Sequence, residues 1–268
     1  MSRTLIALLT ASLVGSAWAE CDLKEDSVVT NSVKILEKEK EVNDLKSRFV
    51  SMASHEFRTP LSTILSSISL LAKYTQTEEQ AKRDKHIDRI KSSVKTLTDI
   101  LNEFLSLGKI EEGKIEIHIE SFNLKEFIEN IIYEMSILLK PGQSLVHEHE
   151  GDTQLNSDRN LLKHILINLI SNAIKFSPEK APIVVKTHID TTHTYISIID
   201  QGMGIPNEDK VHLFERFFRA SNAINIQGTG LGLHIVGRYI DLINGKIEYK
   251  SELEKGSQFI ITLPSELN

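Results

Sequence analysis

The chain has 268 residues and a formal net charge of −6, from 31 Lys and Arg against 37 Asp and Glu. This length allows one or two domains with proper cores, and a negative charge gives no electrostatic case for nucleic acid or an anionic membrane. The single cysteine, Cys21, excludes an internal disulfide framework.

Residues 1–20 have the pattern of a secretory leader. Arg3 precedes an apolar run that continues to Trp18, and Ala17-Trp18-Ala19 offers small residues at a cleavage site. The run is short for a membrane span, which needs about 20 apolar residues. Three interpretations stay open: an appended leader, an uncleaved short anchor, or a true export signal.

Residues 21–48 are predicted to form a coiled-coil or linker helix. Apolar side chains recur every seven residues at Val28, Ile35, Val42 and Phe49. This spacing is typical of a coiled-coil seam. We expect the helix to continue through His55 to about Lys73.

A second long helix is predicted from Glu78 to Leu107, after a turn at Tyr74–Glu79 and before a linker at Gly108–Gly113. Its apolar stripe is Ile87, Ile90, Val94, Leu97, Leu101 and Phe104. Each stripe of this helical hairpin is wider than one partner helix can cover. Pairing of two chains into a four-helix bundle is therefore predicted.

The rest of the chain mixes strand and helix periods, which predicts helices on one face of a mixed sheet. The predicted helices are Phe122–Leu139, Asp158–Phe176 (with Asp158 as cap) and Thr229–Ile243. The predicted strands are Lys114–Glu120, Pro182–Ile189, Thr194–Asp200, Lys246–Ser251 and Gln258–Leu263.

The first chemical motif is Ser54-His55-Glu56-Phe57-Arg58-Thr59-Pro60, inside the first long helix. It places an imidazole beside a carboxylate. Pro60 cannot donate a backbone hydrogen bond within a helix, so a local kink is predicted beside His55.

A second motif is a helix with Asn168, Asn172 and Lys175 at i, i+4 and i+7, on one face. Amide oxygens suit Mg²⁺, and Lys175 can meet a phosphate as a point charge. The alternative is a helix with an ordinary wet polar face.

Two glycine-rich loops and an aromatic segment complete the set. Asp200-Gln201-Gly202-Met203-Gly204 follows a strand and could read an adenine amino group, or be a simple tight turn. Gly228-Thr229-Gly230-Leu231-Gly232 leads into a helix, where backbone N–H groups favour phosphate, or is only a flexible loop. Phe214–Arg219 could anchor a mobile lid or pack as a short helix, and Arg219 could reach a terminal phosphate or stay exposed.

A reactive histidine together with a nucleotide pocket suggests phosphoryl transfer to histidine. These five elements, in this order, resemble the H, N, G1, F and G2 boxes of the sensor histidine kinases of two-component signalling, over about residues 35–268. The resemblance implies a dimerisation and histidine-phosphotransfer hairpin at 49–112. An ATP-binding α+β two-layer sandwich of the GHKL (Bergerat) type would follow at 118–268.

The resemblance also assigns roles to residues. His55 would be the phosphoacceptor, Glu56 would take the ring proton, and Thr59 would help dephosphorylate the partner regulator. Asn172, assisted by Asn168, would hold Mg²⁺. The nucleotide contacts would be Asn168, Asn172, Lys175, Phe176, Asp200, Gly202, Gly204, Arg219, Gly228, Thr229, Gly230, Leu231 and Gly232.

The implied activity is ATP- and Mg²⁺-dependent autophosphorylation of a homodimer and transfer to an aspartate on a separate response-regulator receiver domain, with phosphatase activity toward the phosphorylated regulator. The alternatives are a related ATPase acting as a conformational switch and a non-catalytic dimer scaffold. Since ATP use implies the cytoplasm, an appended leader or a short anchor is preferred for residues 1–20, with membrane association through the leader or a missing sensor segment. The upstream sensor is unknown, because residues 20–34 are too few for a sensor domain.

Overall fold

The computed structural model describes residue 47 and residues 50–265. The predicted leader and the heptad positions Val28, Ile35, Val42 and Phe49 lie outside these residues.

The first part of the structure is a helical hairpin. Helix α1 covers residues 50–71, and helix α2 covers Gln80–Glu111 after a 3₁₀ turn at Thr77–Glu79. The Arg83 guanidinium donates to the carbonyl oxygens of Tyr74 at 3.0 Å and Gln76 at 2.6 Å, which holds the turn. The rings of Phe57 and Phe104 pack edge to face between the two helices, with centroids 6.0 Å apart.

The predicted linker at Gly108–Gly113 is wrong in its first residues, because α2 continues through Gly108. The backbone N–H of Glu112 still donates to the Gly108 carbonyl at 3.0 Å. A glycine inside a helix costs about 0.5–1 kcal/mol relative to alanine. Leu107, which is buried in the hydrophobic core, offsets that cost by its packing. Helix α1 likewise continues across Pro60.

The second part combines helices and sheet. In chain order it contains β1 (Ile119–Asn123), α3 (Leu124–Met135), β2 (Ser144–Gly151), β3 (Gln154–Asp158), α4 (Arg159–Phe176), β4 (Pro182–Ile189), β5 (His193–Asp200), α5 (Gly232–Leu242), β6 (Lys246–Glu252) and β7 (Gly256–Pro264). The main sheet has the order β2-β4-β5-β7-β6, parallel only between β2 and β4. Strands β1 and β3 form a separate antiparallel pair.

The hydrophobic core lies between the sheet and helices α3, α4 and α5. Alternate residues of the central strands are buried, among them Ile183, Val185, Ile196, Ile198, Ile261 and Leu263. Each buried aliphatic side chain contributes about 1.5–3 kcal/mol relative to an exposed one. The prediction of a helical hairpin followed by an α+β domain with a mixed sheet is confirmed.

Several element predictions need correction. The strand expected at Lys114–Glu120 lies instead at Ile119–Asn123, and the helix expected at Phe122–Leu139 ends at Met135, with a 3₁₀ turn at Ser136–Leu138. The helix expected from Thr229 begins at Gly232. Strands β2 and β3 were not predicted, because they are rich in His, Glu, Asn and Gln rather than β-branched residues.

Among the described residues, no helix is both long enough and apolar enough to span a membrane.

Candidate active site

Helix α4 turns three polar side chains toward one cavity of about 500 Å³. Asn168, Asn172 and Lys175 all line it, so the structure brings together the residues that the spacing placed on one helical face. The Asn172 amide nitrogen donates to the Asn168 side-chain oxygen at 3.1 Å. This leaves the Asn172 carbonyl oxygen for another ligand.

Both ends of α4 are held in place. Asp158 caps the N-terminus by accepting from the Leu161 N–H at 2.9 Å, as predicted. At the other end, Lys140 Nζ donates to the carbonyl oxygens of Lys175 and Ser177 at 2.8 and 2.6 Å. These bonds satisfy carbonyls at the end of the helix and fix the position of Lys175.

Asp200, at the end of β5, is buried and lines the cavity. Its Oδ1 accepts the backbone N–H groups of Gly202 at 2.7 Å and Ser257 at 3.3 Å, so Oδ2 is the oxygen available to a ligand. Burial raises the pKa of the Asp200 carboxyl above its ordinary value, although the two backbone donors oppose that shift.

Gly202 itself does not line the cavity but lies under Asp200. A Cβ at this position would be 2.7 Å from Asp200 Oδ1 and 2.9 Å from the Phe176 carbonyl oxygen. Only glycine therefore lets the loop approach the end of α4, and this contact sets the Asp200 carboxylate beside Phe176. Phe176 and Gly204 both line the cavity.

The loop Gly228–Gly232 forms another part of the cavity wall. Gly228, Thr229, Gly230 and Gly232 line the cavity, whereas Leu231 is fully buried and anchors the loop in the core. Thr229 Oγ1 accepts the backbone N–H of Leu231 at 3.1 Å. Helix α5 begins at Gly232 with no side-chain cap, so N–H groups of its first turn remain available to an anion.

The aromatic segment Phe214–Arg219 packs against the rest of the domain at several points. Phe214 packs on Tyr249 with ring centroids 6.0 Å apart, and Phe218 packs on His212 at 5.6 Å. Arg219 Nη2 donates to the carbonyl oxygens of Ala223, at 3.2 Å, Ile224 and Ile226, at 2.7 Å. In this conformation Arg219 therefore orders the segment that follows it.

Lys175 is the cationic side chain that α4 contributes to the cavity lining. Its Nζ donates to the Gln227 carbonyl oxygen and lies 4.9 Å from the centre of the Phe176 ring. The pKa of Lys175 is lowered, first by burial and then by the nearby Arg219 guanidinium.

The hairpin also contributes to the cavity, which sequence reasoning missed. Glu56, Asp99 and Glu103 line it from α1 and α2. The Glu103 carboxylate accepts from Thr229 Oγ1, and burial raises its pKa. Two acidic residues at i and i+4 on a helix are too common to signal a site, so only the docked hairpin reveals them.

His55 lies beside this cavity on α1 without lining it. Its side chain is 74% exposed, and Nδ1 is 3.4 Å from Oε1 of the buried Glu56. The same Glu56 oxygen is 3.7 Å from an Arg219 nitrogen. Thr59, one turn after His55, is exposed and borders a separate surface pocket together with Pro60.

Comparison with known proteins finds family matches over both parts of the chain. The family model "His Kinase A (phospho-acceptor) domain" matches residues 45–113, and "Histidine kinase-, DNA gyrase B-, and HSP90-like ATPase" matches residues 157–267. The sensor histidine kinase GacS of Pseudomonas protegens is 37% identical over 232 residues, which is 83% of this chain and 25% of GacS. The chain belongs to the sensor histidine kinase family.

Two solved histidine kinase structures resemble the fold of this chain. Full-length ShkA in complex with AMPPNP superposes with a TM-score of 0.60 at 26% identity, covering 80% of this chain and 45% of ShkA. ThkA in complex with the response regulator TrrA gives a TM-score of 0.58 at 25% identity, covering 81% of this chain and 61% of that one. The chain therefore spans about a quarter of the length of GacS and part of each solved chain.

Proposed function

We propose that this chain binds ATP and phosphorylates itself on His55. The observation that carries the proposal is the pair formed by exposed His55 and buried Glu56, because Glu56 also lines the cavity that contains Asp200 and Lys175. A carboxylate thus contacts the acceptor imidazole from within the wall of the nucleotide site. ATP in turn implies that the catalytic region works in the cytoplasm.

The lining of the cavity offers groups that match each part of ATP. Asp200 Oδ2 can accept a hydrogen bond from the adenine amino group, while Lys175 and the Gly228–Gly232 loop can meet the phosphates. The AMPPNP complex of the similarly folded ShkA supports this use of the site.

The residues present also fit Mg²⁺. Within residues 50–265, no three His, Cys, Asp or Glu side chains are grouped as a metal site, so we assign the ion to the amide oxygens of Asn172 and Asn168 together with substrate phosphates. When bound there, Mg²⁺ neutralises phosphate charge.

The chemical step uses groups of the hairpin. Nε2 of His55 attacks the γ-phosphorus, the bond from that phosphorus to the β-phosphate bridging oxygen breaks, and ADP leaves. Glu56 accepts the Nδ1 proton from the ring. Its Oε1 lies 3.4 Å from Nδ1, so a small shift of either side chain shortens this contact to a strong hydrogen bond. Because His55 does not line the cavity, the ATP-binding domain has to move along the hairpin before this step.

The phosphoryl group would then pass to an aspartate of a response-regulator receiver domain. The complex of ThkA with the response regulator TrrA supports this class of partner. We assign Thr59, which is exposed one turn from His55, to a separate phosphatase reaction in which water removes phosphate from the regulator. The exposed apolar face of the hairpin is assigned to a second copy of the chain, as in the four-helix bundle that the sequence predicts.

The test is incubation with γ-labelled ATP and Mg²⁺. We expect acid-labile, base-stable label on the wild-type chain and none on His55→Gln. His118→Gln is a matched control, because the His118 side chain, at 72% exposed, is about as exposed as that of His55. Its Nε2 also lies 3.8 Å from a glutamate, Glu116. That variant should label like the wild type.

Label that persists in His55→Gln would refute the assignment. Steady release of phosphate from ATP without any labelled protein would instead support an ATPase that acts as a conformational switch, and absence of ATP binding would support a scaffold.

A further inference from the structure

The phosphate end of the nucleotide cavity is already in contact with a carboxylate of the same chain. Glu103 on α2 accepts a hydrogen bond from Thr229 Oγ1 in the glycine loop, although the two residues are 126 positions apart. It does so beside Lys175, whose ammonium attracts the carboxylate. A hydroxyl and an ammonium are the groups that would otherwise receive phosphate oxygens.

Glu103 is well placed to compete with an anion because its half-buried carboxylate lies where the anion would bind. Burial is the main cause that raises its pKa, with Asp99 and Glu56 contributing like charge and Thr229 and Lys175 opposing. Asp99 lies one turn away on α2 and lines the same cavity. ATP phosphates could not enter beside these carboxylates without strong repulsion.

Two further contacts join the same parts of the molecule. Arg219 lies 3.7 Å from Glu56, and Arg216 Nη1 lies 2.5 Å from Glu111 Oε1. In each case a hairpin carboxylate meets a basic group of the segment between the two glycine loops. The hairpin therefore holds the catalytic domain through the same loops that would close over nucleotide.

We propose that Glu103 is an internal competitor of the ATP phosphates, so that docking of α2 against the Gly228–Gly232 loop and binding of nucleotide exclude each other. ATP then binds by displacing Glu103, which releases the catalytic domain from α2 for its movement toward His55. This inference rests on the proposed nucleotide function of the cavity.

The test compares ATP, ADP and adenosine binding by isothermal titration calorimetry to wild type and Glu103→Gln. If the docked form is populated to about 90%, removing the competitor tightens ATP and ADP binding about tenfold. Adenosine, which has no phosphates, should bind both proteins equally. Asp88→Asn removes one charge from an exposed position of the same helix and should match wild type.

A second measurement needs only the wild-type chain. Binding and docking are linked reciprocally, so ATP should speed amide hydrogen exchange in α2 around Ile100 and Leu107, which are buried when docked, whereas adenosine should not.

The outcomes separate the two proposals. If wild type binds none of the nucleotides and Glu103→Gln also binds none, the proposed function fails. If wild type binds ATP but Glu103→Gln binds it no more tightly, or gains the same affinity for adenosine as for ATP, only the role of Glu103 as a competitor is refuted. If the Glu103→Gln variant does not fold, the wild-type measurement still decides. Amide hydrogen exchange in α2 that is unchanged or slower with ATP would refute the role of Glu103 as a competitor.

Discussion

Asp200 shows how a single side chain combines a structural and a binding task. One carboxylate oxygen of this cavity-lining residue accepts two backbone N–H groups, of Gly202 and Ser257, and the other is left for a ligand. A chain with an aspartate here keeps its loop geometry and still offers an acceptor to a ligand.

Asp200→Asn should therefore weaken nucleotide binding without unfolding the loop. Asparagine can keep the bonds of Oδ1, but its amide nitrogen would face the adenine amino group, donor against donor. The lost acceptor costs about 1–3 kcal/mol, or roughly a 5- to 150-fold rise in Kd. Calorimetric titration with ADP measures the change.

Asp190→Asn is the matched control. Asp190 also accepts backbone N–H groups, from Thr192 and His193, and these bonds lower its pKa to about 2. It is exposed and lies before β5, whereas Asp200 lies at the end of that strand. Equal loss of ADP affinity in both variants would contradict the role of Asp200.

Strand β2 and helix α3 enclose a polar pair that the pattern of the sequence did not reveal. His147 Nε2 and His149 Nδ1 both lie 2.8 Å from Thr187 Oγ1 of the neighbouring strand. Thr187 is buried, so one hydroxyl pairs with one ring nitrogen of each imidazole inside the fold. This explains why β2 tolerates histidine at two positions that face inward.

The stability of this region should fall in mild acid. Burial, followed by the charge of His149 and, from α3, Lys125, lowers the pKa of His147 below its ordinary value of 6.5, while Glu129 opposes the shift. The unfolded chain then binds protons more readily, so stability present above pH 6.5 is lost as pH falls through that value. Urea midpoints at pH 7.5 and 5.5 measure the fall.

His147→Gln should reduce this pH dependence but not abolish it, since burial also lowers the pKa of His164 and of His234. The exposed His193, changed to Gln, serves as the control and should leave the wild-type slope. An unaltered slope in His147→Gln would count against the assignment.

The whole hairpin leaves an apolar face open in a single chain. Leu61, Leu65 and Ile68 on α1 and Ile87, Val94 and Leu101 on α2 are all more than a third exposed, with Leu65 at 68%. Exposed apolar residues that recur along one face of a helix are typical of an interaction site. It agrees with the proposal that two chains form a four-helix bundle.

Leu65→Glu and Leu101→Glu should therefore weaken dimerisation. Each substitution occurs twice in a symmetric dimer, and each buried leucine contributes about 1.5–3 kcal/mol, so Kd should rise about a hundredfold or more. Analytical ultracentrifugation measures the association.

Ser92→Glu adds the same charge on the opposite side of α2, 200° around the helix from Val94, and should remain dimeric. Dimers that persist in both leucine variants would show that the chains associate elsewhere.

The sequence by itself determined the local features of the structure. Interactions between near neighbours determine the helix period, the Asp158 cap and the loops after Asp200 and before Gly232. For this reason α4, α5 and the central strands could be predicted. The order of the motifs gave the family, and the hairpin with its α+β domain followed.

The tertiary structure alone decided which distant residues meet. Glu103 and Thr229 lie 126 positions apart, and no local period relates them. The inward histidines of β2 depend likewise on Thr187, some 40 positions away, which only sheet pairing brings close. Arg219 approaches Glu56 because the hairpin and the α+β domain are packed together. Such contacts depend on how complete domains dock, and the spacing of residues along the chain does not encode docking directly.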